Sequence, residues 1–179
     1  MIQRIFLFLS LLLQAGQICH GKILDPTYSD LRYSGDYNRS QLDLWLADSK
    51  KPTPLVINFH GGGFRKGDKR SFIANSMLQK NLPKQVSFAS VNYPYIDQVD
   101  GDHRKLLEHC AESLKFITKN ASKYNIDKNR ISVMGNSAGA LITCFLGHAQ
   151  DLGIRSIYPI QPPKGTPLLL PHIIAGGPP

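Results

Sequence analysis

The sequence predicts an α/β fold with a mostly parallel central sheet that opens with an antiparallel hairpin. Three observations carry that reading. The continuous apolar runs "LVINF" (55–59), "VSFASV" (86–91) and "ISVM" (131–134) have the length and composition of strands buried on both faces. Segments with helical spacing lie between them, and strands alternating with helices imply parallel strands joined by crossovers. The stretch before the first run is of another kind. Across residues 31–46, "LRY" and "QLDLWL" flank the turn-rich "SGDYNRS", as in a hairpin.

Taken in order, the chain begins with Arg4 and an apolar run over residues 5–13. That run is too short for a membrane span, which needs about 20 residues, and has the length of a signal-peptide core. Residues 1–21 therefore read as a signal peptide, with cleavage after Gly21, and residues 22–179 as one domain. A secreted or periplasmic location follows; an uncleaved N-terminal anchor is the alternative. In the hairpin, "QLDLWL" alternates polar and apolar, so a half-exposed strand is expected. A helix is expected over residues 71–80 and a longer one over 102–119, where Leu107, Cys110, Ala111, Leu114 and Ile117 share a face. Asp100 or Asp102 can cap the longer helix. A third helix should run from Ser137 to about residue 150, followed by a weaker strand at 154–160 and a Pro- and Gly-rich segment at 161–179.

With 179 residues, 42% hydrophobic and 19% charged, the chain can bury a real core, which excludes general disorder. The net charge of +8 raises nucleic-acid binding, but the basic residues are scattered and no nucleic-acid motif accompanies them. Their densest cluster, Arg65, Lys66, Lys69 and Arg70 in "FRKGDKR", reads as a solvated face, with a preference for anionic substrates as the sharper reading. Cys19 leaves with the signal; Cys110 and Cys144 read as buried free thiols.

Two motifs carry chemistry. "VMGNSAGA" contains G-x-S-x-G as Gly135, Asn136, Ser137, Ala138 and Gly139, between an apolar strand and an apolar helix. A nucleophilic serine needs that context: a sharp strand-to-helix turn exposes its hydroxyl beside a helix N-terminus that favours negative charge. "HGGGF", His60 to Phe64, follows the buried run "LVINF". Consecutive glycines let backbone N–H groups approach a ligand and stabilise an oxyanion during acyl transfer.

Together, "VINFHGGGF" and "ISVMGNSAGA" resemble the α/β-hydrolases of the hormone-sensitive-lipase-type esterase group, and are most like the secreted bacterial esterases allied to acetyl-xylan and feruloyl esterases. The likeness covers about residues 41–179, and "YNIDKNRISVMGNSAGA" also matches the usual lead-in to the nucleophile. It implies an α/β-hydrolase fold, Ser137 as the nucleophile, and an oxyanion hole from the N–H groups of Gly62, Gly63 and Ala138. It gives His60, with Gly61, Gly135 and Gly139, a structural role. It implies no metal and no cofactor, and a small-molecule or carbohydrate-linked ester as substrate. One departure is "VNYPY", where Pro94 follows Tyr93 and the family often has arginine.

The serine also needs a histidine and an acid, which follow it in chain order in this fold. The 42 residues after Ser137 offer Asp151, His148 and His172. His148 and Asp151 fall about 15 Å or more along the helix that leaves the serine, too far to serve it. His172 sits in the Pro-rich end. "PHIIAGGPP" resembles the family segment before the strand that leads to the acid, so the last strands, the acid and the histidine are expected beyond this chain. A catalytically inactive chain of the same fold, serving as a binding module, is the alternative.

Overall fold

The structure is a computed structural model and describes residues 24–70, 75–148 and 156–160. The segments 1–23, 71–74, 149–155 and 161–179 lie outside the described residues, and with them the signal peptide, Asp151 and His172. Six strands form one sheet: β1 (Tyr28–Arg32), β2 (Gln41–Trp45), β3 (Thr53–Phe59), β4 (Ser87–Val91), β5 (Ile126–Asn136) and β6 (Ser156–Ile160). Their order is β1-β2-β4-β3-β5-β6. The first two pairings, β1–β2 and β2–β4, are antiparallel, and β3–β4, β3–β5 and β5–β6 are parallel. The expected mixed sheet is present.

Helices cover both faces. Along β3, alternate residues point to opposite sides. Leu55, Ile57 and Phe59 join one cluster with Ala89 and Val91 of β4. Helix α2 (His103–Lys119) adds Leu106, Cys110, Leu114 and Ile117 to it, and α3 (Ala138–His148) adds Ile142 and Leu146. Each such aliphatic side chain contributes about 1.5–3 kcal/mol by leaving water. Val56 instead packs with Trp45, Phe88 and Leu78, the last on α1 (Asn75–Asn81), which follows the expected 71–80 helix in its described part.

Helix α2 begins where expected. Asp102 caps it, its Oδ1 accepting from the N–H groups of Arg104 at 2.8 Å and Lys105 at 3.1 Å. Asp100 instead closes the preceding 3-10 turn in a left-handed conformation. The buried face is turned slightly from the expected one: Leu106 is fully buried and Leu107 only partly so. Cys110 is a buried free thiol whose titration burial pushes well up, whereas Cys144 is only half-buried.

Two further expectations are corrected. Strand β2 is not half-exposed: Leu42, Asp43, Leu44 and Trp45 are all buried. The strand lies between β1 and β4, and the loop after β3 covers its polar side. Nor is Lys69 part of a solvated face. It is buried, and its ammonium pairs with the buried Asp43 carboxylate and, at 2.8 Å, with the exposed Asp30. Its backbone N–H donates to Asn92 Oδ1 at 2.7 Å, and its carbonyl accepts from Ser90 at 2.6 Å. An inward polar residue and a basic residue that seemed exposed thus satisfy each other, as buried charges must.

Replacing Asp43 by alanine leaves the buried Lys69 ammonium with the exposed Asp30 alone. The expected loss in unfolding free energy is about 3 kcal/mol, read as a fall in the urea midpoint at unchanged slope. A loss under about 1 kcal/mol would place this pair with ordinary surface bridges.

Candidate active site

Strand β5 ends at Asn136 and α3 starts at Ala138, so Ser137 alone makes the turn. It does so in the left-handed region, at φ 54°. A non-glycine residue held there costs about 1–3 kcal/mol, which the surrounding structure must offset. The Ser137 carbonyl accepts from the N–H groups of Ala140 at 2.9 Å and Leu141 at 3.3 Å, which launches the helix. The serine itself is half-buried.

Close approach explains the flanking glycines. A Cβ on Gly139 would lie 2.0 Å from the carbonyl oxygen of Phe59, so the start of α3 rests on the end of β3. A Cβ on Gly135 would lie 2.3 Å from the Gly139 oxygen.

The glycine loop arrives from the neighbouring strand. Phe59, the last residue of β3, pairs with Gly135 of β5 in parallel register, so both strands deliver their following loops to the same sheet edge. This is the edge at which open α/β sheets bind ligands. Gly61 lies against the turn: a Cβ there would be 3.3 Å from Ser137 Cβ and 2.8 Å from the Asn136 oxygen. At Gly62, φ is 114°, and its carbonyl accepts from Arg65 N–H at 3.1 Å and Lys66 N–H at 3.2 Å, closing a tight turn. Gly63 follows at φ 61°. Among the described residues, none accepts a hydrogen bond from the N–H groups of Gly62, Gly63 or Ala138.

His60 opens this loop and is buried. Its Nδ1 lies 2.7 Å from the Gly61 oxygen, and its Nε2 lies 3.2 Å from an Arg39 guanidinium nitrogen. Arginine only donates, so Nε2 accepts and the proton sits on Nδ1. Burial lowers the imidazole's titration below its ordinary value, and the Arg39 charge adds to this, so the ring is neutral near pH 7. With both nitrogens engaged, His60 holds the loop and has no free nitrogen to offer Ser137. Tyr93 stacks on the ring at 4.4 Å and donates its hydroxyl to the His60 carbonyl at 2.6 Å.

Sequence reasoning missed Arg39. It lies in the β1–β2 connection, where only turn-forming residues drew notice. Its side chain reaches His60, Gly67, Asn92 and Tyr93, up to 54 positions away, and local pattern does not register contacts at that range. Pro94, which stands where the resemblance leads one to expect arginine, is buried, and the guanidinium found at Tyr93 comes from the hairpin.

Of the remaining candidates only His148 lies among the described residues, and it is not brought to the serine. His148 is the exposed last residue of α3, with Nδ1 2.7 Å from the Cys144 oxygen. A helix of this length carries it about 15 Å from the turn. Among the described residues, no cluster of His, Cys, Asp and Glu could hold a metal ion, and no helix is long and apolar enough to cross a membrane.

Comparison with known proteins gives a consistent picture. The BD-FAE family description matches residues 42–155, a span that contains both motifs. The isoprenylcysteine alpha-carbonyl methylesterase ICME of Arabidopsis thaliana is 28% identical over 139 residues, covering 69% of this chain and 31% of that protein. A truncated form of a carbohydrate esterase from gut microbiota superposes with a TM-score of 0.59 at 20% identity, over 67% of this chain and 42% of that one. A thermophilic esterase from the Planctomycetes species Thermogutta terrifontis gives 0.54 at 16% identity, over 66% and 45%. This chain therefore spans less than half the length of each. The structural likenesses establish the fold, an α/β-hydrolase sheet.

The contact between α3 and the end of β3 can be tested at Gly139. Gly139→Ala forces a methyl group into the Phe59 carbonyl and is expected to cost about 3 kcal/mol, seen as a lowered melting temperature. A variant as stable as the parent would show that α3 does not rest on β3 as described.

Proposed function

The chain belongs to the BD-FAE family, and from that premise we propose that it hydrolyses carboxylic esters through an acyl-enzyme on Ser137. The observation that carries the reading is the approach of Gly61 to within 3.3 Å, at the position of a Cβ, of the Ser137 side chain. It brings a left-handed serine, at a helix N-terminus, beside a loop of N–H donors.

In this reading the Ser137 hydroxyl attacks the ester carbonyl and forms a new C–O bond as it loses its proton. The carbonyl oxygen becomes an oxyanion, which the N–H groups of Gly62, Gly63 and Ala138 receive. Donors preset for that oxygen cost no reorganisation when the charge develops, and losing one such donor slows turnover about 10²–10³-fold in other hydrolases. The C–O bond to the alcohol then breaks and the alcohol departs with a proton. Water adds to the acyl-serine and releases the carboxylic acid. The serine proton requires a histidine held by a carboxylate. No described residue is assigned to either role: His60 is engaged at both nitrogens and His148 lies at the far end of α3.

The names of the relatives support esters as the substrate class, as a methylesterase in one case and a carbohydrate esterase in another. A small-molecule or carbohydrate-linked ester is the proposed substrate. Residues 1–21 are proposed to direct export, which suits action on esters outside the cytoplasm.

The test uses the protein as its gene encodes it, with a p-nitrophenyl ester. Ser137→Ala is expected to lower kcat by about 10³-fold or more with the fold intact. Undiminished hydrolysis by that variant would remove Ser137 as the nucleophile.

A further inference from the structure

We infer that Arg39 is a positioning residue for the oxyanion loop, acting from the β1–β2 hairpin through His60 and Gly67. The inference rests on the ester-hydrolase reading and adds to it a residue that neither motif contains.

The loop carrying the N–H donors runs from His60 to Gly67, and its two ends meet. A Cβ on Gly67 would lie 2.4 Å from His60 Nδ1. One guanidinium nitrogen of Arg39 grips both ends, 3.2 Å from His60 Nε2 and 2.9 Å from the Gly67 carbonyl. The same nitrogen reaches Asn92 Oδ1 at 3.2 Å, and Nε donates to the Tyr93 carbonyl at 3.0 Å. The loop is thereby tied to the segment that follows β4. The Tyr95 ring lies under the guanidinium carbon at 3.9 Å, and the Tyr95 hydroxyl donates to the same Gly67 carbonyl at 2.7 Å. Hydrogen bonds from a charged donor are about twice as strong as neutral ones, and a planar fork fixes direction as well as distance.

Arg39 is itself held in place. The next residue, Ser40, is fully buried, and its hydroxyl lies 2.8 Å from His109 Nε2 on α2. Its backbone carbonyl accepts from Tyr33 N–H at 3.0 Å. Tyr37, earlier in the turn, meets the His109 ring edge to face at 4.8 Å. The hairpin turn is docked on α2 on one side and extends a cation into the glycine loop on the other.

This arrangement bears on the reaction because oxyanion donors act through orientation. Gly62 and Gly63 adopt left-handed conformations that glycine enters freely, so their own backbones do not dictate where the N–H groups point. The clamp at the ends of the loop supplies that restraint. Its loss should therefore affect the transition state more than the ground state, lowering kcat with little change in KM.

The experiment compares Arg39→Ala and Arg39→Lys with the wild type in the protein as its gene encodes it. Turnover of a p-nitrophenyl ester is normalised to active sites titrated to completion with a fluorophosphonate, and melting temperature is measured in parallel. Arg39→Ala is expected to lose about 10²-fold in kcat with KM within about threefold of the parent. Arg39→Lys keeps the charge without the fork and should lose about tenfold; it is also the variant expected to fold if the alanine form does not. Added methylguanidine should restore part of the kcat of Arg39→Ala and none of that of Ser137→Ala. Folded Arg39 variants with kcat per titrated site within about twofold of wild type overturn the inference, even if their melting temperatures fall. A wild type with no Ser137-dependent hydrolysis overturns the ester-hydrolase reading itself, and the inference with it.

Discussion

The pairing of Phe59 with Gly135 across the parallel strands β3 and β5 is the contact on which the rest of the site depends. Parallel neighbours end at the same edge, so the loops that follow them must meet. The glycine run leaves one strand and the serine turn leaves the other. Gly139 lets the helix N-terminus rest on the Phe59 carbonyl, and Gly61 lets the loop lie beside the serine. Ser137 at φ 54° is strained, and strand β5 before it and helix α3 after it hold that conformation. The core under this edge, from Phe59 through Ile142 and Leu146, explains why the two loops do not splay apart.

A second layer of structure is polar. Lys69 with Asp43, Asn92 with Asp68, and Arg39 with His60 form a chain of buried and half-buried partners between the hairpin, the glycine loop and the end of β4. Hydrogen bonds from Arg70 and Asn92 outweigh partial burial and hold the Asp68 carboxyl well below its usual range. Such networks contribute little net stability over an apolar packing of the same volume. Their effect lies in direction: the Arg39 nitrogen that reaches His60, Gly67 and Asn92 favours the loop conformation that brings these acceptors together.

The legible parts of this protein were those with local signatures. Buried parallel strands show as unbroken apolar runs, and "LVINF" and "VSFASV" became β3 and β4 within a residue or two. Helix α2 showed its period and its Asp102 cap. The serine turn was visible because its glycines are demanded by contacts a few residues apart, as between Gly135 and Gly139. What could not be read depends on distant partners. Nothing near Asp43 announces that a lysine 26 positions later will cover it, so β2 read as half-exposed. Lys69 looked like one more surface cation in a basic run. Arg39 sat in a turn whose Gly, Asp and Asn accounted for it locally, while its contacts lie 21 to 54 positions away.

The central claim is geometric: the glycine loop and the serine turn together form one site for a tetrahedral oxyanion. A crystal structure of the protein as its gene encodes it, after reaction with a fluorophosphonate ester, tests this most directly. The account predicts phosphorus bonded to Ser137 Oγ, with the phosphoryl oxygen about 2.7–3.1 Å from the N–H nitrogens of Gly62, Gly63 and Ala138. Phosphorus on another residue, or a phosphoryl oxygen turned away from the glycine loop into solvent, would contradict it.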